Sequence, residues 1–253
     1  MNTETPTPTE TAQCWQDLAT IIAADTKRVI LYGPAGTGKT YAGLTIGATN
    51  GAYRLICSEE MTDADILGMW QPSNTGGLEW VEGLAIKCWR TGGRLVIDEI
   101  DKANGDVLGV LMSVTDTHAS SSWQNPQTGE IVTPHADFSV VMTTNLERMS
   151  DLPMALLDRF PIQIRVNEPS RAALEMLPPT YRESARILAD ADEDNRASMR
   201  AFLELARLEV HTGRDVAARL IFGERGEELA QMWNLAEMAA DALTAANGNA
   251  VTA

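Results

Sequence analysis

Short apolar runs alternate with helical stretches over roughly the first two thirds of the chain. Five of these runs have the length and composition of β-strands: Arg28–Tyr32, Tyr53–Cys57, Arg94–Ile97, Phe138–Thr143 and Pro161–Val166. The third and fourth runs are continuously apolar, which is typical of strands buried on both faces of a parallel sheet. Strands that alternate with helices predict an α/β fold, in which a five-stranded parallel sheet is sandwiched by helices.

The periodicity changes after Glu168, and every later segment has the pattern of a helix. The predicted helices cover 170–177, 180–190, 196–210, 214–222 and 224–246. We therefore expect an α/β domain over 11–168 and a small all-helical domain over 169–246. Residues 1–10 are rich in Thr, Pro and Glu and lack large apolar side chains, so they are expected to be a disordered tail, with a second flexible tail over 247–253.

Two segments of the α/β part interrupt the alternation and carry tryptophan. Residues 68–83 predict a hairpin that turns around 74–77, and residues 118–137 predict another that turns near 125–129. Their tryptophans are Trp70, Trp80 and Trp123. Aromatic side chains are enriched in binding surfaces, but packing between the hairpins explains them equally well.

The composition excludes several classes of protein. Hydrophobic residues make up 44% of the chain, which is enough for a core and excludes a fully disordered protein. The 35 Asp and Glu residues outnumber the 20 Lys and Arg residues, giving a net charge of −15. Neither hairpin contains Lys or Arg, and this disfavours binding to a nucleic-acid backbone.

The pattern predicts neither a membrane span nor a secreted protein. No apolar run approaches the ~18 residues that a spanning helix requires, and the first residues lack the basic and apolar regions of a secretory signal. The three cysteines are widely spaced, without a CxxC or Cys/His cluster, so we expect reduced thiols in a cytoplasmic protein and no structural zinc.

One segment matches the phosphate-loop pattern GxxxxGK[ST] in full, between a predicted strand and a predicted helix. Glycines let the backbone N–H groups approach phosphate oxygens, and the helix N-terminus adds a favourable dipole. Lysine in this pattern reaches the β- and γ-phosphates, and the final hydroxyl binds Mg²⁺. The predicted nucleotide-binding residues are Gly33, Pro34, Ala35, Gly36, Thr37, Gly38, Lys39 and Thr40.

Two adjacent acidic residues, Asp98 and Glu99, directly follow the third predicted strand. A carboxylate at this end of a buried strand lies in the crevice where open α/β sheets bind ligands. Asp98 is therefore expected to hold Mg²⁺ together with Thr40, and Glu99 to orient and deprotonate an attacking water. With the phosphate loop, these residues predict a P-loop ATPase whose cofactors are ATP and Mg²⁺.

Four sequence segments carry a family resemblance: GPAGTGKT, LVIDEID, VVMTTN and LPMALLDRFPI. This series is similar to the AAA+ ATPases, and more narrowly to the MoxR-like branch with the CbbQ/NirQ-type activators and the dynein-related AAA modules. Members of that branch carry one hairpin inside the second helix and another before the fourth strand, where the two tryptophan-bearing segments fall. The helical domain would then be the lid of an AAA+ module.

The resemblance implies roles for three further residues. Asn145 matches sensor 1, which contacts the γ-phosphate or the attacking water, although an Asn at a strand end also caps turns. Arg159 matches the arginine finger that reaches the neighbouring subunit's nucleotide, the alternative being an ion pair with Asp158. Arg214 is the choice for sensor 2, with Arg219 as its rival and a plain surface arginine as the alternative.

The resemblance also implies an assembly and a task. It indicates a homo-oligomeric ring, expected to be a hexamer, that hydrolyses ATP and remodels or activates a protein client or adaptor. Families like this one are often encoded beside a von Willebrand factor A-type partner. Two alternatives remain at this point: a nucleic-acid motor or loader, and a nucleotide-gated binding module with slow turnover.

Overall fold

A computed structural model describes residues 11–74 and 76–250. The predicted tail over 1–10 lies outside the described residues, as do residues 251–253 of the second predicted tail. Contacts between residues divide the chain into two compact units. The first unit contains Gln13–Pro34 and Gly38–Val166, and the second contains the chain from Asn167 onward together with Ala35–Thr37.

The described residues form nine strands. In chain order these are β1 (Arg28–Tyr32), β2 (Ala52–Ile56), β3 (Gly68–Pro72), β4 (Leu78–Glu82), β5 (Arg94–Asp98), β6 (Trp123–Gln124), β7 (Ile131–Val132), β8 (Ser139–Thr143) and β9 (Gln163–Arg165).

Five of these strands build one sheet in the order β2-β5-β8-β1-β9, and all of its pairings are parallel. This confirms the predicted five-stranded parallel sheet flanked by helices. Strand β5 is buried at every position, as its continuous apolar run indicates. Strand β9 is shorter than predicted and begins at Gln163, two residues after Pro161, which has no N–H to donate to a neighbouring strand.

The α/β unit contains six of the described helices: α1 (Gln13–Ala23), α2 (Lys39–Thr45), α3 (Asp63–Leu67), α4 (Leu84–Thr91), α5 (Gly105–Val114) and α6 (Met154–Arg159). Its core lies between the sheet and these helices, where Trp89, Ile97, Leu111, Met142 and Phe160 are almost completely buried. The carboxyl ends of β1, β5 and β8 meet at one edge of the sheet because these strands are parallel.

Strands β3 and β4 pair antiparallel as one hairpin, and β6 and β7 as a second one. The tryptophans of the hairpins pack against one another: the ring centroids of Trp70 and Trp80 are 5.7 Å apart, and those of Trp80 and Trp123 are 5.9 Å apart. Arg90 of α4 donates to both Glu82 and Glu130, so one guanidinium joins the two hairpins. Packing of the hairpins therefore accounts for much of this aromatic surface, although Trp70 stays 44% exposed.

From Arg171 onward, the described residues of the second unit form five α-helices joined by connecting segments. Its helices are α7 (Arg171–Glu175), α8 (Pro179–Leu188), α9 (Met199–Thr212), α10 (Arg214–Phe222) and α11 (Arg225–Ala250). Aromatic rings form the centre of its core, with the Tyr181 and Trp233 centroids 4.8 Å apart. The last helix continues to Ala250, so residues 247–250, predicted to lie in a tail, are helical.

Among the described residues, no helix is both long enough and apolar enough to cross a bilayer.

Candidate functional site

The chain leaves β1 through the loop that contains the phosphate-loop pattern and enters α2 at Lys39. Gly33 has a φ of 115°, and a Cβ added there would lie 3.0 Å from the carbonyl oxygen of Val166, so both the backbone conformation and the space favour glycine. Gly36 and Gly38 also have positive φ values, of 81° and 102°. Thr37 is buried, and Ala35–Thr37 group with the helical unit.

Lys39 is almost completely buried and its ammonium group lies inside the loop. Its Nζ donates to the carbonyl oxygens of Gly33, at 2.9 Å, and of Pro34, at 2.7 Å. It also donates to Oδ1 of Asn145, at 3.0 Å. The structure therefore brings the loop lysine and the predicted sensor 1 residue together, although they are far apart in the sequence.

Asp98 ends β5 and is 3% exposed. Its Oδ1 accepts hydrogen bonds from Thr40 Oγ1, at 2.8 Å, and from Thr143 Oγ1. Its Oδ2 accepts from Nε of Arg54, at 2.9 Å, and from Nη2 of the same side chain. Burial by itself would raise the pKa of this carboxyl, but the hydrogen bonds from Thr143, Arg54 and Thr40 outweigh burial and lower the pKa. Asp98 is therefore ionised at neutral pH.

The oxygens of Thr40 and Asp98 suit Mg²⁺. They are hard ligands, and they already lie 2.8 Å apart at the edge of the sheet where the phosphate loop begins its helix. The described residues contain no group of three or more His, Cys, Asp or Glu side chains that could hold a metal by themselves. Mg²⁺ usually takes one or two protein ligands and completes its shell with phosphates and water.

Glu99 has a backbone conformation that is unusual for a residue with a side chain. Its φ of 58° and ψ of 47° lie in the left-handed region, which costs on the order of 1 kcal/mol and persists only where the surroundings impose it. The N–H of Glu99 donates to Thr143 Oγ1, at 3.4 Å, and its carboxylate accepts from Lys102 Nζ, at 2.8 Å. Glu99 lies in this strained turn directly after β5, and its side chain is 33% exposed.

The carboxyl end of β8 supplies two buried threonines and an exposed asparagine. Thr143 donates to Asp98, and Thr144 donates to Asp101 at 2.5 Å. Asn145 follows them at the surface, where Lys39 contacts it. Each side chain of the TTN segment thus contacts a charged residue at this edge of the sheet.

Arg159 does not contact the residues around Asp98. Its guanidinium lies 3.3 Å from Oδ2 of Asp116, two residues after α5, and its Nη1 donates to the carbonyl oxygen of Ala155. Asp158, the partner that the sequence suggested as an alternative, is not the partner found: the ion pair is made with Asp116. The pKa of Asp116 is lowered by the N–H of Thr117 and by Arg159, against the opposing effect of desolvation.

Arg214 lies in a polar network inside the helical unit. Its guanidinium donates to Glu237, to Asn234, to Glu209 and to the Tyr181 hydroxyl, at distances of 2.8–3.0 Å. These contacts raise the pKa of Arg214. Its rival Arg219 is exposed, and the hydrogen bonds and ion pairs found among the described residues do not include its side chain. Every donor group of Arg214 thus has an acceptor within its own unit.

Three residues that the structure places in these contacts were not predicted from the sequence: Arg54, Thr143 and Asp116. Arg54 could have been noticed as a basic residue inside the apolar run of β2, and Thr143 as a polar residue in the last position of a buried strand. No sequence signal connects Asp116 with Arg159. The thiol of Cys57, next to this edge of the sheet, has its pKa raised to about 12 by burial and by the carboxylates of Asp101, Asp98 and Glu99, so it is an inert thiol.

Comparison with known proteins places the chain in a family. The family model for the AAA domain (dynein-related subfamily) matches residues 28–160, which is more than half of the chain. An uncharacterized protein of Staphylococcus saprophyticus is 33% identical over 142 residues, and one of Staphylococcus haemolyticus is 32% identical over 142 residues. Each match covers 53% of this chain and 53% of the relative, so the chain spans about half the length of the curated relatives it matches.

A solved structure from Cytophaga hutchinsonii, described as a candidate ATPase, is also similar. It has a TM-score of 0.45 and 18% sequence identity, over 61% of this chain and 46% of that protein. The match of the family model spans β1, the phosphate loop, Asp98, Glu99, Asn145 and Arg159. The chain belongs to the AAA domain family, in its dynein-related subfamily.

Proposed function

We propose that this protein is an ATPase of the AAA+ class that hydrolyses ATP to ADP and phosphate. The observation that carries the proposal is the contact of Thr40 with Asp98 at the edge of the sheet where the phosphate loop and Glu99 also lie. Phosphate-loop proteins hold Mg²⁺ with this pair of side chains. A structural Gly-rich turn would not need a buried, ionised carboxylate opposite the first turn of its helix.

The residues of the α/β unit divide the chemistry among them. Lys39 and the N–H groups of the loop bind the phosphates, and Thr40 and Asp98 hold Mg²⁺, which when bound neutralises charge on the phosphates. Asn145 orients the attacking water or the γ-phosphate. Glu99 accepts a proton from that water, for which its carboxylate must leave Lys102. We assign Glu99, Asn145 and Arg159 as catalytic residues on this basis.

Arg159 is proposed to act on the nucleotide of a neighbouring subunit. Its hydrogen bonds go to Asp116 and Ala155, and not to the loop or to Asp98, which supports a role outside its own site. A guanidinium supplied by a neighbour is worth ~10³–10⁵ in rate. This proposal implies a homo-oligomeric ring, which by resemblance to the MoxR-like branch would be a hexamer.

The task of the ring is proposed to be the remodelling or activation of a protein partner. The hairpins without Lys or Arg and the net charge of −15 support a protein client over nucleic acid. A von Willebrand factor A-type protein is one such partner by the same resemblance. The three cysteines, Cys14, Cys57 and Cys88, are free and buried, which supports a reducing compartment such as the cytoplasm.

The test of this proposal is ATP turnover by the purified protein and by its Glu99→Gln variant. We expect Mg²⁺-dependent hydrolysis by the wild type, and a fall of at least about 10²-fold in the variant because the proton acceptor is lost. The variant should still bind a fluorescent ATP analogue, and Lys39→Ala should not. Equal turnover by the wild type and Glu99→Gln would contradict the assignment of Glu99, and nucleotide binding without hydrolysis would favour a nucleotide-gated binding module.

A further inference from the structure

The carboxylate of Asp98 is neutralised by a cation that comes from the neighbouring strand. Arg54 lies in β2, which pairs with β5 in parallel register, and Arg54 is opposite Val96. Its side chain extends along the sheet and donates two hydrogen bonds to the same oxygen, Oδ2 of Asp98. The two threonines occupy Oδ1. The two carboxylate oxygens thus have different partners, a cation on one and hydroxyl groups on the other.

The two partners of this ion pair differ greatly in exposure. The side chain of Asp98 is 5% exposed, whereas that of Arg54 is 44% exposed. Folding of the core therefore fixes the carboxylate, while the side chain of Arg54 that contacts it stays partly exposed. An exposed ion pair adds little to the free energy of folding. Removing the partner of a buried carboxylate is destabilising, because an uncompensated buried charge remains.

We propose that Arg54 is a positioning residue that sets the magnesium affinity of the nucleotide site. By neutralising Oδ2 of Asp98, it weakens the attraction of this carboxylate for a divalent cation and directs metal binding to Oδ1, the oxygen beside Thr40. This inference rests on the proposed function, because it concerns the same site.

The direction of the effect follows from charge. A positive charge in direct contact with a carboxylate cancels most of the field that attracts another cation, and it repels a divalent ion twice as strongly as a monovalent one. The low exposure of Asp98 leaves little water to screen this repulsion. Hydrogen bonds from Arg54 also orient the Asp98 carboxylate. Removing Arg54 should therefore allow the carboxylate more orientations, but the loss of the positive charge should still make the metal bind more tightly.

The experiment measures Mn²⁺, a paramagnetic substitute for Mg²⁺, by the electron paramagnetic resonance signal of the free ion. The protein is kept in excess over a non-hydrolysable ATP analogue, so that the analogue is bound. We expect Arg54→Gln to bind Mn²⁺ about tenfold more tightly than the wild type. Arg54→Lys keeps the charge and should stay within about twofold of the wild type.

Two further variants separate charge at this site from general effects. Lys87→Gln removes one positive charge from an exposed position of α4 in the same unit and should leave Mn²⁺ affinity unchanged. Arg54→Met is a second neutral variant that keeps the apolar stem, and it should match Arg54→Gln. A circular dichroism melt of each variant verifies that it is folded.

The outcomes distinguish this inference from the proposed function. If the wild type binds neither the ATP analogue nor Mn²⁺, the proposed function fails. If the wild type binds both, and the neutral variants bind Mn²⁺ with the same or lower affinity, the role of Arg54 is overturned. Tighter binding in both neutral variants, with wild-type affinity in Arg54→Lys, supports it.

Discussion

Individual side chains around Asp98 stabilise its buried negative charge through hydrogen bonds. Three donors, Thr40, Thr143 and Arg54, satisfy a carboxylate that would otherwise be protonated or excluded from the core. The strained backbone of Glu99, one residue later, places the next carboxylate outside the strand. Two adjacent acidic residues therefore have separate environments, which permits separate roles.

Thr143→Val tests the contribution of one of these donors. Valine has the shape of threonine but leaves Oδ1 of Asp98 with one hydrogen bond fewer, so we expect a loss of about 1–3 kcal/mol in the free energy of unfolding. Urea denaturation measures this change. Thr45→Val, at an exposed position of α2 where the hydroxyl donates within its own helix, is the control and should change stability by less than about 0.5 kcal/mol. Equal effects of the two substitutions would contradict the importance of the Thr143 hydrogen bond.

At the scale of elements, a buried arginine supports the helix that follows the phosphate loop. Arg94, at the start of β5, donates to the carbonyl oxygens of Gly43, Ile46 and Gly47 at the end of α2, and to Ser139. Carbonyl groups at a helix C-terminus have no partner within the helix and carry partial negative charge, so a cation there is favourable. Arg94 therefore fixes the far end of the helix that begins with Lys39 and Thr40.

Arg94→Met removes these donors while keeping much of the side-chain volume. We expect it to lower the free energy of unfolding by about 2–3 kcal/mol, because buried carbonyl groups lose charged partners. Arg94→Lys should restore part of the loss. Calorimetric melting measures both, and a Met variant as stable as the wild type would show that the carbonyl groups find other partners.

In the helical unit, substitutions can distinguish Arg214 from its rival Arg219 as the proposed sensor 2. Arg214 has acceptors on α9 and α11 and contacts the ring of Tyr181, so its loss should destabilise this unit. We expect Arg214→Ala to lower the melting temperature by several degrees, in line with a loss of about 1–2 kcal/mol for a partly buried network. Arg219→Ala, at an exposed position, should melt within about 1 °C of the wild type.

The same two variants, compared in an ATPase assay, separate structure from catalysis. A large fall in turnover for Arg219→Ala at unchanged melting temperature would assign sensor 2 to Arg219. If Arg214→Ala instead loses turnover and keeps its melting temperature, the network around Arg214 is not structural and the first assignment stands.

At the scale of the whole molecule, the proposed ring makes a prediction about complementation. Arg159→Ala subunits have an intact phosphate loop and Glu99 but lack the finger, whereas Glu99→Gln subunits keep the finger and lack the proton acceptor. Mixing the two variants should restore part of the hydrolysis that each one lacks, because an intact site forms where the two meet. The measurement is ATP turnover as a function of mixing ratio.

The control mixes Arg159→Ala protein with protein that carries both substitutions. No subunit in that mixture has Arg159, so the mixture cannot form an intact site. Wild-type turnover by Arg159→Ala alone would show that Arg159 does not complete a neighbour's site. Light scattering with and without nucleotide then gives the number of subunits directly.

Much of the α/β unit could be predicted from the sequence because its signals are local. Strand β1 has the predicted bounds, since a buried strand followed by a glycine-rich loop has sharp limits. The loop, Asp98 and Glu99 could be proposed as site residues for the same reason, because their spacing along the chain defines the motifs. The end of α11 was placed too early because the small and polar residues at 247–250 give no apolar periodicity, although the helix continues through them.

The sequence by itself determined the fold class and the composition of the phosphate loop, because hydrophobic periodicity and a contiguous motif depend only on the order of the residues. Only the tertiary structure decided the partners of the charged groups: Arg54 with Asp98, Asp116 with Arg159, and Arg214 with Glu237. These pairs join residues of different elements, and parallel strands bring together positions that are far apart in sequence. Charge pairing depends on distance in space, which a one-dimensional pattern does not contain.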